Sequence, residues 1–133
     1  MNHTKIAKSY VEVERQNLKE IDDPHLIILK LFDSLINAMN NFVESSKTNE
    51  KMELRSEQFS RALSILYALQ SSLDFEKGGE IAENLFQTYE FARQMIIGSI
   101  KSMDETGPKR ALALLAEIRE AWAQMGEQLG NEK

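Results

Sequence analysis

The stretch from 80 to 103, Glu80-Ile81-Ala82-Glu83-Asn84-Leu85-Phe86-Gln87-Thr88-Tyr89-Glu90-Phe91-Ala92-Arg93-Gln94-Met95-Ile96-Ile97-Gly98-Ser99-Ile100-Lys101-Ser102-Met103, decides the fold. Ile81, Leu85, Tyr89, Ala92, Ile96, Ile100 and Met103 recur at intervals of three and four. At about 100° per residue they fall on one face of a helix. Phe86 and Ile97 widen that face on one side, and Phe91 and Met95 widen it on the other. Only Glu83, Gln87, Glu90, Gln94 and Lys101 form a clearly polar strip. A helix apolar over more than half its circumference sits centrally in a bundle or touches a partner.

The flanking sequence repeats the pattern. On the N-terminal side, Gly78-Gly79 closes the connection to a second helix, predicted over 51–73. Its main face is Met52, Phe59, Ala62, Leu63, Leu66, Leu69 and Leu73, with Ile65 and Tyr67 to either side. Further upstream, Asp23-Pro24 opens a helix: Asp accepts bonds from unpaired amides, and Pro loses nothing at the first helical position. Its apolar face carries Ile28, Leu31, Phe32, Leu35, Ile36, Met39, Phe42 and Val43, and the polar stretch 44–50 ends it. On the C-terminal side a fourth helix follows Gly107-Pro108, with a seam of Leu115, Ile118, Trp122, Met125 and Leu129. Short connections make successive helices antiparallel. The prediction is all-α: an up-down four-helix bundle over 23–129, a short N-terminal arm or helix over 1–22, and a tail over 130–133.

Composition agrees. The chain has 133 residues, enough for one domain, with 42% hydrophobic and 28% charged residues. Two prolines and six glycines argue against a turn-rich β fold. The absence of cysteine excludes disulfides, thiolate metal sites and a cysteine nucleophile. A net charge of -5 gives no general attraction to nucleic acid or anionic lipid. The longest unbroken apolar run, 111–116, is far short of the roughly 20 residues that span a bilayer. These features predict a cytoplasmic protein.

No chemistry-bearing constellation outweighs its structural reading. The loop 76–80 holds glycines, but Glu76, Glu80 and Glu83 oppose a bound phosphate. Neither His3 nor His25 lies three residues after a glutamate, as a di-metal bundle requires. His25 falls in a helix's first turn with no nucleophile near it in sequence. Arg93 is the arginine nearest an apolar face, and a snorkelling stem explains it better than an anion pocket. No catalytic residue, metal or cofactor is predicted.

What remains is surplus apolar surface at Leu54, Ile65, Tyr67, Phe86, Phe91, Met95 and Ile97. A wide core, a homodimer and grooves for amphipathic partner helices all explain it. Ile6, Tyr10 and Val13 give the N-terminal arm a weak apolar face of its own.

The segment Ser71-Ser72-Leu73-Asp74-Phe75-Glu76-Lys77-Gly78-Gly79-Glu80-Ile81-Ala82-Glu83-Asn84-Leu85 resembles the link between the second and third helices of the flagellin-specific export chaperone family, FliS. Leu26 to Asp33 after Asp23-Pro24, Tyr89-Glu90-Phe91, and Glu120-Ala121-Trp122 resemble further blocks of that family in the same order. Where the family commonly has Thr-Ala-Ser/Thr-Pro, this chain has Ile21-Asp22-Asp23-Pro24, and Asp23 can cap equally well. The resemblance implies a non-enzymatic chaperone without cofactor. It implies a bundle that holds the disordered C-terminal segment of flagellin in apolar grooves, blocks premature polymerisation and aids delivery to the export apparatus. An adaptor of the same fold that binds a flagellar regulatory protein is the alternative. The expected client contacts are the residues off the primary stripes: Ile65, Tyr67, Phe86, Phe91, Met95 and Ile97. Ile6, Tyr10 and Val13 are expected to cap the empty groove. The expected state is a monomer or weak homodimer, without nucleic acid or membrane insertion.

Overall fold

A computed structural model describes residues 23–45 and 51–131, with side chains described as far as Glu127. The expected arm, with Ile6, Tyr10 and Val13, lies outside the described residues. The described residues form four helices and no strand: α1 (Pro24–Ser45), α2 (Met52–Ser71), α3 (Phe75–Ser102) and α4 (Thr106–Asn131). α1 packs on α2 and α4, and α3 packs on α4 and α2, so the helices run in chain order around the bundle.

The long-range contacts fix the directions. At one end Arg55, early in α2, lies over the Phe42 ring late in α1, 4.7 Å from its centroid. Its Nη2 donates to the carbonyl of Ser99 in the last turn of α3 at 3.0 Å. At the other end Trp122, late in α4, donates from Nε1 to the carbonyl of His25 in the first turn of α1 at 2.8 Å. Beginnings meet ends, so neighbouring helices are antiparallel, as predicted.

The core holds Phe32, Leu35, Met39 and Phe42 of α1, Ile65, Leu66 and Leu69 of α2, Ile96 of α3 and Leu115 of α4, all fully buried. Burying a side chain of this size contributes about 1.5–3 kcal/mol. Phe32 meets Tyr89 across the bundle, and Phe42 meets Phe59, each with ring centroids 6.2 Å apart.

α1 is long and apolar enough to cross a membrane by length and composition. In the bundle its apolar stripe faces α2 and α4, while Lys30, Asp33, Asn37 and Asn40 are exposed. That is the burial pattern of an amphipathic core helix.

Three boundaries differ from expectation. α2 stops at Ser71, where the Ser72 amide closes onto the carbonyls of the last turn. α3 starts at Phe75 because the Asp74 carboxylate caps it, accepting from the Lys77 amide at 3.0 Å. Gly79, at φ 49° and ψ -124°, then breaks the helix, so the glycine pair bends α3 rather than ending α2. α4 begins just before Gly107-Pro108. Its first i to i-4 bond runs from the Lys109 amide to the Glu105 carbonyl at 3.0 Å, which places Pro108 where an amide has no helical partner.

Candidate functional site

The bend at Gly79 shapes an apolar opening in the bundle. It sets the turn 75–78 apart from the rest of α3. α2 has already stopped at Ser71, so among the described residues the first turns of α3 lack a helical neighbour on that side. The result is a cleft of about 310 Å³. Leu69 and Leu73 form one wall, Ile81, Leu85 and Tyr89 a second, and Ile28, Ile118 and Trp122 a third. Lys77 and Asp74 stand at its edge. Ile81 is 71% exposed, and with the apolar lining it extends a contiguous apolar surface rather than standing alone.

The Trp122 wall is braced from behind. Its indole stacks on the His25 imidazole, centroids 4.4 Å apart and planes 5° from parallel. The His25 amide donates to the Asp23 carboxylate at 3.0 Å, which caps α1 as expected. His25 Nε2 is buried without a hydrogen-bond partner among the described residues. Tyr89 is buried, and burial pushes its phenol up to about 12. It therefore presents a neutral ring to the cleft at any ordinary pH.

The expected client residues do not form one groove. Ile65 is 1% exposed and belongs to the core, so a partner cannot reach it while the bundle is closed. Phe86 and Ile97 share a face of α3 with Glu90 and Arg93, at helical spacing. That face looks toward α2, because Glu90 accepts from Gln70 Nε2 at 3.2 Å. Ile97 is exposed, and Phe86 is half-buried with its ring against Phe75, centroids 6.0 Å apart. Tyr67 projects from α2 and is 69% exposed. Phe91 and Met95 are half-buried and pack on the core. Met95 faces the start of α4, where a Cβ on Gly107 would fall 2.7 Å from its sulfur. The surplus apolar surface of α3 is thus two strips, one toward α2 and one toward α4.

Sequence reasoning missed the cleft because its lining residues sit on primary stripes. A stripe residue is buried only where a neighbouring helix runs alongside it. Ile81 keeps the period but lies beyond the end of α2. The break at Gly79 was the available signal.

Among the described residues, the polar groups do not converge on a reaction centre. Arg93 binds the Glu90 carboxylate through Nε and Nη2. That contact, with Gln70 assisting, holds the Glu90 carboxyl down at about 2. Arg119 pairs with Asp33 at 2.8 Å and also reaches Glu120. Arg55 is at the far end of the bundle from the cleft. Among the described residues, no three His, Asp or Glu side chains are grouped as metal ligands.

Comparison with known proteins agrees with this architecture. The family model described as flagellar protein FliS matches residues 6–129. A flagellar secretion chaperone FliS of Salmonella typhimurium is 31% identical over 122 residues, covering 89% of this chain and 87% of the relative. A protein of the same name from Vibrio cholerae is 25% identical, covering 93% and 90%. The flagellar secretion chaperone FliSB of Pseudomonas aeruginosa is 25% identical, covering 89% and 93%. A match of this extent on a four-helix bundle places the chain: it belongs to the FliS family of flagellar secretion chaperones.

Proposed function

We propose that this chain binds the disordered C-terminal segment of flagellin in the cytoplasm, keeps it from polymerising and presents it to the export apparatus. The observation that carries the reading is the apolar cleft with Ile81 open at its mouth. Amphipathic helices formed by the client fill the cleft and lie along the two strips of α3. Tyr67, Phe86 and Ile97 make the contacts on one side, and Phe91 and Met95 on the other. Ile65 supports this surface from beneath. A disordered client orders on binding, so it can cover a wide apolar surface without extreme affinity. The work is binding alone, with no bond made or broken.

The N-terminal segment completes the proposal. It joins the bundle at Asp23, at the same end as the cleft. Ile6, Tyr10 and Val13 cover the apolar surface when no client is present and give way when one arrives. Deleting residues 1–20 then raises client affinity or promotes self-association, and no change in either sinks the capping role.

Titration calorimetry of the chain with the C-terminal segment of flagellin from the same organism tests the whole reading. One-to-one binding with a large negative heat-capacity change is expected, as apolar burial requires. Ile97→Asp weakens that binding while the melting temperature stays near wild type. Absence of binding to a folded, monomeric chain removes the reading.

A further inference from the structure

We infer that the client segment seated in the cleft is cationic as well as apolar: a helix whose branched aliphatic anchors are bordered by lysine or arginine. The inference rests on the chaperone reading above and adds the charge of the partner.

The apolar requirement comes from the lining. Leu73, Ile81, Leu85, Ile118 and Trp122 offer no hydrogen-bonding partner beyond the indole N–H, which is already given to His25, and the charged groups Asp74 and Lys77 stand at the edge. A polar anchor pushed against these five side chains loses its water without replacement.

The charge requirement comes from the ends of the bundle, which are not alike. The antiparallel helices divide into a half with the cleft (23–34, 62–89 and 118–127) and a half without it (35–45, 51–61 and 90–117). The cleft half carries eight Asp and Glu against three Lys and Arg. The other half carries seven against seven. The whole excess of negative charge among the described residues therefore lies in the half of the bundle that holds the opening. Of the three cations there, Arg119 is held by Asp33 and Glu120. Glu76, Glu80 and Glu83 are exposed on the first turns of α3, beside Ile81.

A surface carboxylate contributes little to a bound pair in water. Several of one sign around one opening act together, attracting a cationic segment and repelling an anionic one before contact. The division of labour follows. Apolar lining sets how slowly the client leaves, and the acidic half sets how fast a suitable client arrives.

The sequence contains a competitor. Residues 1–11 include Lys5 and Lys8, Ile6 and Tyr10, and no Asp or Glu. The chain's own N-terminus thus has the chemistry assigned here to the client, and the test must separate the two.

The experiment measures association and dissociation rates of the full chain with the flagellin C-terminal segment at low salt and at high salt, where charges are screened beyond about 3–4 Å. The association rate is expected to fall roughly tenfold at high salt, with dissociation little changed. Glu80→Lys/Glu83→Lys, which leaves the cleft lining intact, is expected to slow low-salt association at least threefold. A flagellin segment with its Lys and Arg changed to Gln is expected to lose the salt dependence. Binding that ignores salt and both changes overturns the inference and leaves the chaperone reading standing. Absence of wild-type binding removes both. Association that speeds up with salt, and ceases to do so in Lys5→Gln/Lys8→Gln, assigns the acidic half to the chain's own N-terminus and overturns the inference. Salt dependence that follows a change in the chain's own mass assigns it to a second copy, with the same consequence.

Discussion

The imidazole of His25 lies flat on the indole of Trp122, and Gly126, one turn beyond Trp122, leaves the room that the ring occupies. A Cβ at Gly126 would fall 2.5 Å from His25 Nε2 and 2.6 Å from Cδ2. The ring cannot retreat, because the Trp122 indole covers its face at 4.4 Å. One clasp thus ties the first turn of α1 to the end of α4, directly behind a wall of the cleft.

Gly126→Ala tests the clasp. In an open helix the change stabilises by about 1 kcal/mol. Here it is expected to destabilise by about 1 kcal/mol or more, because the new methyl displaces the imidazole. Denaturant melts of Gly126→Ala alone and on a His25→Ala background measure this. With the ring gone, the usual gain from alanine should return. A gain in both backgrounds contradicts the close approach.

Arg55 does the corresponding work at the opposite end. It is 9% exposed, stacks on Phe42 and donates to the Ser99 carbonyl, which also accepts the Met103 amide at 2.9 Å. Burial works against its charge, and the Glu105 carboxylate works for it. Arg55→Ala is expected to cost about 2–3 kcal/mol by chemical denaturation, from the lost hydrogen bond and cation–ring contact. Arg55→Lys restores little, because a compact ammonium lacks the planar face. Full recovery by lysine would show that charge alone matters here.

Met103 ends α3 in the left-handed conformation, at φ 59°. A side chain there strains the backbone, and glycine does not. Met103 is 48% exposed, so little burial is lost on its removal. Met103→Gly is expected to stabilise by about 0.5–1 kcal/mol, read as a raised midpoint in urea. A lowered midpoint would mean that the methionine's contacts outweigh the strain.

Glu90 supplies a pH dependence. Its carboxyl is held at about 2 in the bundle, against an ordinary 4.5, by Arg93 first and then Gln70. A folded-state value below the unfolded one stabilises the fold above pH 4.5. That contribution fades as pH falls from 4.5 toward 2. The stability difference between wild type and Glu90→Gln should therefore shrink across that interval. A difference that stays constant through it shows that Glu90 acts only as a polar group.

The client strips show how far periodicity reaches. In α3, Ile97 was placed outside the core by spacing alone, and it is exposed. In α2 the same reasoning put Ile65 off the stripe and Met52 on it. The buried line runs instead through Arg55, Gln58, Ala62, Ile65 and Leu69. Two of its inward positions are polar, so the apolar pattern pointed slightly to one side. Ring stacking on Phe42 and a carbonyl offered by another helix make Arg55 burial tolerable, and both come from elsewhere in the chain.

The sequence by itself determined four helices, their antiparallel order and the family, because helical period, capping residues and short connections are local properties. It also determined that α3 carries more apolar surface than one stripe needs. Only the tertiary structure decided where that surface opens. Exposure depends on where a neighbouring helix stops: α2 ends at Ser71 and α3 bends at Gly79, so Ile81 stands open although its spacing matches that of buried Tyr89 and Ile96. The gathering of negative charge in the half of the bundle with that opening was likewise absent from the linear order, since antiparallel packing brings residues 23–34, 62–89 and 118–127 together.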